Sequence, residues 1–187
     1  MTAPTSVGGD GRQRLFLALR LRAADLDAVE AWQREHLERM RVVPRAHLHV
    51  TLAFLGHRPA GERGGILGAL RAAAGEAVGE IRLVPVGYRE TRGVAMLVLA
   101  DEDGRAGALA ADLHRRLEAL GVFRAEARAW LPHLTVGRFR ERAGLRPALG
   151  NMGTYVLIPS DASAYLSRLR PSGAEYEVLA SVALGGL

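Results

Sequence analysis

Polar and apolar positions alternate along "RLFLALRL" (14–21). Leu15, Leu17, Leu19 and Leu21 fall on one side, and Phe16, Ala18 and Arg20 on the other. That alternation predicts a strand. The period then changes: Leu26, Val29, Trp32 or Gln33, Leu37 and Met40 recur at helical intervals, with Asp25 placed to cap a helix running to about Met40. "VVPRA" connects it to a second strand-like run, "HLHVTLAFLG" (47–56). "GERGGILGALRAAAGEAVG" predicts a helix with Ile66, Leu67, Leu70, Ala73 and Ala74 inward, although its glycines weaken it. "IRLVPVGY" and "GVAMLVLA" read as strands joined by a basic turn, "RETRG". A helix is expected over Ala106 to Leu120, where Leu109, Leu113, Leu117 and Leu120 share a face. A strand near 133–139 follows, then a polar loop, "RERAGLRPALGNMG", and three short strands in "TYVLI", "ASAYLSRL" and "EYEVLASVAL". Helices and strands mix without strict β-α-β alternation, which predicts an α+β fold with antiparallel pairing.

Composition narrows the chemistry. The chain has 187 residues, enough for one domain or two small lobes sharing a core. Residues 1–11 are small, polar and glycine-rich and are expected to form a disordered leader, leaving 12–187 as a single bilobal domain. That leader lacks the basic start and apolar run of a signal peptide. No stretch approaches the roughly 18 apolar residues of a membrane span, so no membrane association and a cytoplasmic location are expected. There is no cysteine, which excludes disulfides, thiolate metal sites and cysteine nucleophiles. Net charge is +5, and all 25 basic residues are arginine. Arginine presents a planar fork of donors suited to phosphate, and a positive chain favours polyanionic partners. No glycine-rich phosphate loop appears, so kinase and dinucleotide readings lack support.

The two histidine-bearing strands carry a repeat. "H-V-T-L-A-F" at 49–54 aligns with "H-L-T-V-G-R" at 133–138, 84 residues on. Each is His-apolar-Thr-apolar, and each follows a helical segment, as in a duplicated unit with two lobes. Side chains at i and i+2 of a strand point the same way, so each copy offers one imidazole and one hydroxyl on one face. Two such lobes facing each other would place two imidazoles and two hydroxyls in a cleft. Near neutral pH an imidazole gives or takes a proton. One can deprotonate a nucleophile while the other protonates a leaving oxygen, and the threonine hydroxyls can bind phosphate oxygens as charge builds on them. That set suits phosphoester hydrolysis without a cofactor.

Two H-x-T motifs at this separation, with "T-L-A-F-L-G" and "P-H-L-T-V-G-R" around them, resemble the two-histidine phosphoesterases. The chain is most similar to the bacterial and archaeal RNA 2′,3′-cyclic phosphodiesterases, long called 2′-5′ RNA ligase-like proteins. "RLFLALRL" and "SRLRPSGAEYEVLASVAL" also match, in family order, over roughly Arg14 to Leu184. The resemblance implies two pseudo-symmetric lobes, each an antiparallel sheet with packed helices, around a central cleft. It implies catalytic roles for His49 as proton donor and His133 as proton acceptor, with phosphate contacts from Thr51, Thr135 and Arg138. It also implies a monomer that opens a terminal 2′,3′-cyclic phosphate of RNA to a 2′-phosphate, with no metal or other cofactor. The residues alone do not assign acid and base. The rival readings are a related enzyme acting on small cyclic nucleotides and a non-catalytic RNA- or nucleotide-binding module. An ATP-dependent ligase using a lysyl adenylate is excluded, because the chain has no lysine.

Several residues need their own expectation. His47 and His49 form an H-x-H pair of the kind that can bind a metal; no third ligand stands at convincing spacing, and His47 is read as the start of the strand. His36, His57 and His114 are read as surface or structural. Phe54 has the opposite parity to His49 and is expected in the core. Arg138 lies five residues from His133, so a regular strand would turn it away; a bulge near Gly137 is needed to bring it back. Phe16 is a candidate to stack on a base. Arg140, Arg142 and Arg146 are read as a solvated loop, with an electrostatic funnel beside the cleft as the alternative.

Overall fold

Leu15, Leu17, Leu19 and Leu21 are all buried on one side of β1 (Arg12–Leu21), as the alternation requires. In this computed structural model, residues 11–38, 40–77, 79–91, 93–140, 144–171 and 173–184 are described. The expected leader therefore lies outside the described residues, except for Gly11. The other elements are α1 (Ala23–His36), β2 (Arg41–Val42), β3 (His49–Pro59), α2 (Arg63–Glu76), β4 (Leu83–Thr91), β5 (Val94–Asp101), α3 (Arg105–Ala119), β6 (His133–Arg138), β7 (Pro159–Arg170) and β8 (Gly173–Ala183).

The strands pair antiparallel in the order β4-β5-β6-β3-β1-β7-β8, with β2 against the end of β6. The two motif strands, β3 and β6, are neighbours at the centre and meet at one pair, Val50 and Leu134. Outward from that point the halves match: β1 flanks β3 and β5 flanks β6, then β7 and β4. Helix α1 lies in sequence between β1 and β3, and α3 between β5 and β6. This is the α+β fold of two pseudo-symmetric halves expected from the repeat. The core joins one face of the strands to Val29 and Trp32 of α1, Ile66 and Leu70 of α2, and Leu109, Leu113 and Leu117 of α3. The opposite face is left to form the cleft. Among the described residues no helix is long and apolar enough to cross a membrane.

Both motif strands bulge at the same place. Opposite β1, the register passes from Thr51 to Ala53, leaving Leu52 as the extra residue. Opposite β5, it passes from Thr135 to Gly137, leaving Val136. An extra residue reverses the face of everything after it. Arg138 is thereby returned to the side of His133 and Thr135, as its expected role requires. The bulged residue is Val136 and not Gly137. Gly137 is there for packing, since a Cβ would run into the thioether of Met40. The same event in β3 overturns the expectation for Phe54: its ring is turned out of the core and is 64% exposed.

A bulge also leaves a carbonyl needing a partner. In both strands a helical side chain supplies it. Gln33 of α1, itself buried, donates its Nε2 to the carbonyl of Val136 at 2.8 Å and to that of Val43 at 3.0 Å. His114 of α3 places Nε2 2.8 Å from the carbonyl of Leu52, and Trp130 Nε1 donates to the carbonyl of Thr51 at 3.0 Å.

Other expectations need adjusting. Helix α1 ends at His36, and the chain enters it through Arg22 without a side-chain cap. Asp25 is buried in the first turn instead. It accepts hydrogen bonds from the Ile158 amide (3.0 Å), Tyr155 Oη (3.3 Å) and Arg22 Nε (3.3 Å), pinning the segment that leads into β7. Arg89, Glu90 and Thr91 belong to β4 rather than to a turn. The tail holds two strands and not three, because residues 154–158 contribute only the Leu157–Leu83 bridge.

Gln33→Leu and His114→Leu each remove a donor from a bulge carbonyl. Each should lower stability by about 1–3 kcal/mol, read as a lower urea midpoint at unchanged slope. Midpoints equal to wild type in both variants would mean that the bulges stand without these props.

Candidate active site

Because Val50 and Leu134 are partners, the register sets Thr51 across from His133 and His49 across from Thr135. Each imidazole thus faces the hydroxyl of the other copy. The four side chains that the repeat singled out come together at the seam between the two halves, and all four are half-buried.

Each imidazole is held by the backbone two residues before it. His133 Nδ1 lies 2.9 Å from the carbonyl of Leu131, and the His49 ring is hydrogen-bonded to the backbone of His47. In neutral His133 the proton sits on Nδ1, facing that carbonyl, which leaves Nε2 free as a base. His47 occupies a short turn, Arg45–His47, that precedes β3. Arg45 ties that turn to α1 through Asp27 (2.6 Å) and Glu30 (2.7 Å), which fixes the entrance to the motif strand.

The surroundings of His49 are aromatic. Its ring lies 4.9 Å from Phe16, 5.7 Å from Tyr176 in an edge-on arrangement, and 6.0 Å from Tyr165. His47 packs on Tyr176 at 4.4 Å. Burial pushes the pKa of His49 down to about 4. The positive neighbours His47, His133 and Arg138 push the same way, against the hydrogen bond to His47. His49 is therefore neutral in the free protein at neutral pH. His47 is also lowered, by burial first and then by Arg138. The Tyr165 phenol is pushed up to about 12, mainly by burial, and stays protonated.

Phe16 is 3% exposed. Its ring stacks on Tyr165 at 4.7 Å and 5°, and Tyr176 meets it edge-on at 4.9 Å. The expectation that Phe16 stacks on a base is corrected, because these rings and His49 cover it. It forms the wall behind His49. The aromatic that is open is Phe54, 5.9 Å from Phe16 at the cleft mouth. Counted from the histidines, Phe54 and Arg138 occupy the same position in the two copies. Phe54 was missed in the sequence for want of the β3 bulge, and Tyr165 and Tyr176 because β7 and β8 carry no motif.

Arg138 is exposed and close enough to lower both His47 and His49. Arg140 and Arg146 are exposed on the loop beyond β6 and do not line the cleft cavity; Arg142 lies outside the described residues. His114 is structural, under the bulge. His57 is exposed, and His36 packs on Trp32 at 5.2 Å. Among the described residues no three His, Asp or Glu side chains gather as a metal-binding group.

The chain matches the family model described as the 2′-5′ RNA ligase superfamily over residues 21–167. Among solved structures it is similar to TT0787 of Thermus thermophilus, at 26% identity and a TM-score of 0.72, covering 91% of this chain and 97% of that one. It is also similar in fold to E. coli LigT in its apo form (22% identity, TM-score 0.73) and complexed with 3′-AMP (24% identity, TM-score 0.72). Each LigT match covers 94% of this chain and 99% of the other. A comparison with curated proteins gives no match. With a family match across most of its length and paired H-x-T strands meeting at the seam of a duplicated fold, the chain belongs to the 2′-5′ RNA ligase superfamily, as a LigT-like two-histidine phosphoesterase.

Proposed function

We propose that this chain hydrolyses the terminal 2′,3′-cyclic phosphate of RNA to a 2′-phosphate, using His49 and His133 as an acid–base pair. The observation that carries the reading is the reciprocal placement of the two imidazoles and two threonines, with Arg138 turned onto the same face. His133, its Nε2 free, takes a proton from water as the water oxygen bonds to phosphorus. The P–O3′ bond breaks on the far side, and His49 gives its proton to the departing 3′ oxygen. Thr51, Thr135 and Arg138 bind the phosphate oxygens as charge develops on them. Phe54 offers an open ring on which the terminal base can stack.

The donor role asked of His49 meets a site that keeps it neutral when empty. A bound phosphodiester carries a negative charge into the midst of His49, His133 and Arg138. That charge offsets their mutual repulsion and raises the proton affinity of His49. The acid is thus charged by its substrate.

Ring opening of a short RNA ending in a 2′,3′-cyclic phosphate should proceed in EDTA and yield a 2′-phosphate. His49→Ala and His133→Ala should each lose about 10²–10⁴-fold in kcat. A near-wild-type rate in either variant would refute the pairing, and a 3′-phosphate product would mean that the other ester bond breaks. Phe54→Ala should raise KM with little change in kcat; an unchanged KM would remove the stacking role.

The histidine charge is checked by NMR. In the free protein His49 should titrate near pH 4, well below an ordinary imidazole. Replacing Arg138 with Gln removes a lowering charge, so the midpoint should rise; inorganic phosphate should raise it in wild type. A midpoint near 6.5 in free wild type, or no response to phosphate, would contradict this account.

A further inference from the structure

The cleft does not stop at the two histidines. From His133 and Thr51 it continues as a cavity of roughly 1100 Å³, beyond the roughly 300–1000 Å³ usual for a single small ligand. One side is β3 from Thr51 to Arg58, about 20 Å of strand. The other is the segment 121–131 that leads into β6, fixed to the bulge by Trp130. The floor is the cleft face of β4 and β5. There the cross-strand partners Thr135, Met96 and Arg89 form one row, which sets Arg89 about 10 Å from Thr135.

The charges along this groove are one-sided. Arg58, Arg89, Arg124 and Arg128 line it, and the carboxylate among its lining residues is that of Glu126. Two of the four arginines are committed within the chain: Arg58 to the Leu55 carbonyl (2.9 Å) and Glu62 (3.7 Å), and Arg128 to Glu126 (2.6 Å). Arg89 and Arg124 are exposed and have no carboxylate partner among the described residues. Phe54, open at 64%, stands where the groove leaves the seam. An open ring followed by uncommitted guanidiniums is what a single strand requires, with bases stacking and phosphates pairing with cations.

We infer that this groove holds the RNA strand leading to the reactive end, with Arg89 and Arg124 binding its upstream phosphodiesters. The chain is then built for an oligonucleotide rather than a cyclic mononucleotide. This rests on the proposed ring-opening activity and adds the extent of the substrate to it.

The test compares 2′,3′-cyclic AMP with an RNA hexamer ending in the same cyclic phosphate, using wild type and the double variant Arg89→Gln/Arg124→Gln. Wild type should have a KM for the hexamer about tenfold or more below that for the mononucleotide at low salt, and the gap should narrow as salt rises. The double variant should lose most of that gap while its kinetics on the mononucleotide stay within about twofold. Equal wild-type KM values, or an equal effect of the variant on both substrates, would overturn the inference. Absence of ring opening on either substrate would defeat the catalytic reading alone. The groove is then read by fluorescence anisotropy of a 5′-labelled hexamer carrying a 3′-phosphate. Salt-sensitive binding weakened about tenfold by the double variant supports the groove, and binding absent or unchanged in the variant overturns it.

Discussion

One extra residue in each motif strand is the constraint on which the site depends. A regular strand keeps His and Thr together but sends the residue five positions after the histidine to the opposite face. Leu52 and Val136 reverse that parity. Without them Phe54 and Arg138 would point into the core, where a cation has no partner. The bulges in turn need somewhere to put their carbonyls. Gln33 and His114 meet this demand from opposite helices, α1 reaching the second motif strand and α3 the first. The two halves of the molecule therefore hold each other's catalytic strand in shape.

The aromatic wall is the second determinant. Phe16, Tyr165 and Tyr176 close around His49 on the side away from the seam. They fix the ring's position, and they also deprive the imidazolium of water. A histidine so placed is costly to protonate until an anion arrives. His133, held by the Leu131 carbonyl, has no such aromatic wall around it among the described residues. The duplicated motif thus supplies two chemically equal imidazoles, and the fold makes them unequal through what packs behind each one.

Much of this was legible in the chain. The alternation in 14–21 gave β1 and its faces, and the paired H-x-T runs gave the symmetry, the seam and the four central side chains. The need for a bulge was legible where a charge demanded it, at Arg138, because burying an unpartnered arginine is costly. It was not legible at Phe54, since a phenylalanine is at home in a core and raises no conflict there. The same parity argument applied to both copies would have found it. Asp25 looked like a helix cap because caps are local, whereas its partners at Tyr155 and Ile158 lie more than 100 residues away. Phe16 looked available because its neighbours on that face come from β7 and β8, which the sequence does not place beside β1.

The departure from symmetry gives the site its direction. A perfect duplicate would present the same group at both outward positions and could not distinguish one end of a strand from the other. Here one copy ends in an aromatic ring and the other in a guanidinium. The groove opens on the aromatic side, between β3 and the segment before β6, and carries arginines without carboxylate partners among the described residues. Phosphate chemistry at the seam, a stacking surface beside it and positive charge beyond it form a sequence along one path. A chain end laid on that path has one orientation in which its base meets Phe54 and its reactive phosphate meets the histidines. The bulges that turn Phe54 and Arg138 into the cleft therefore also determine from which side the substrate enters.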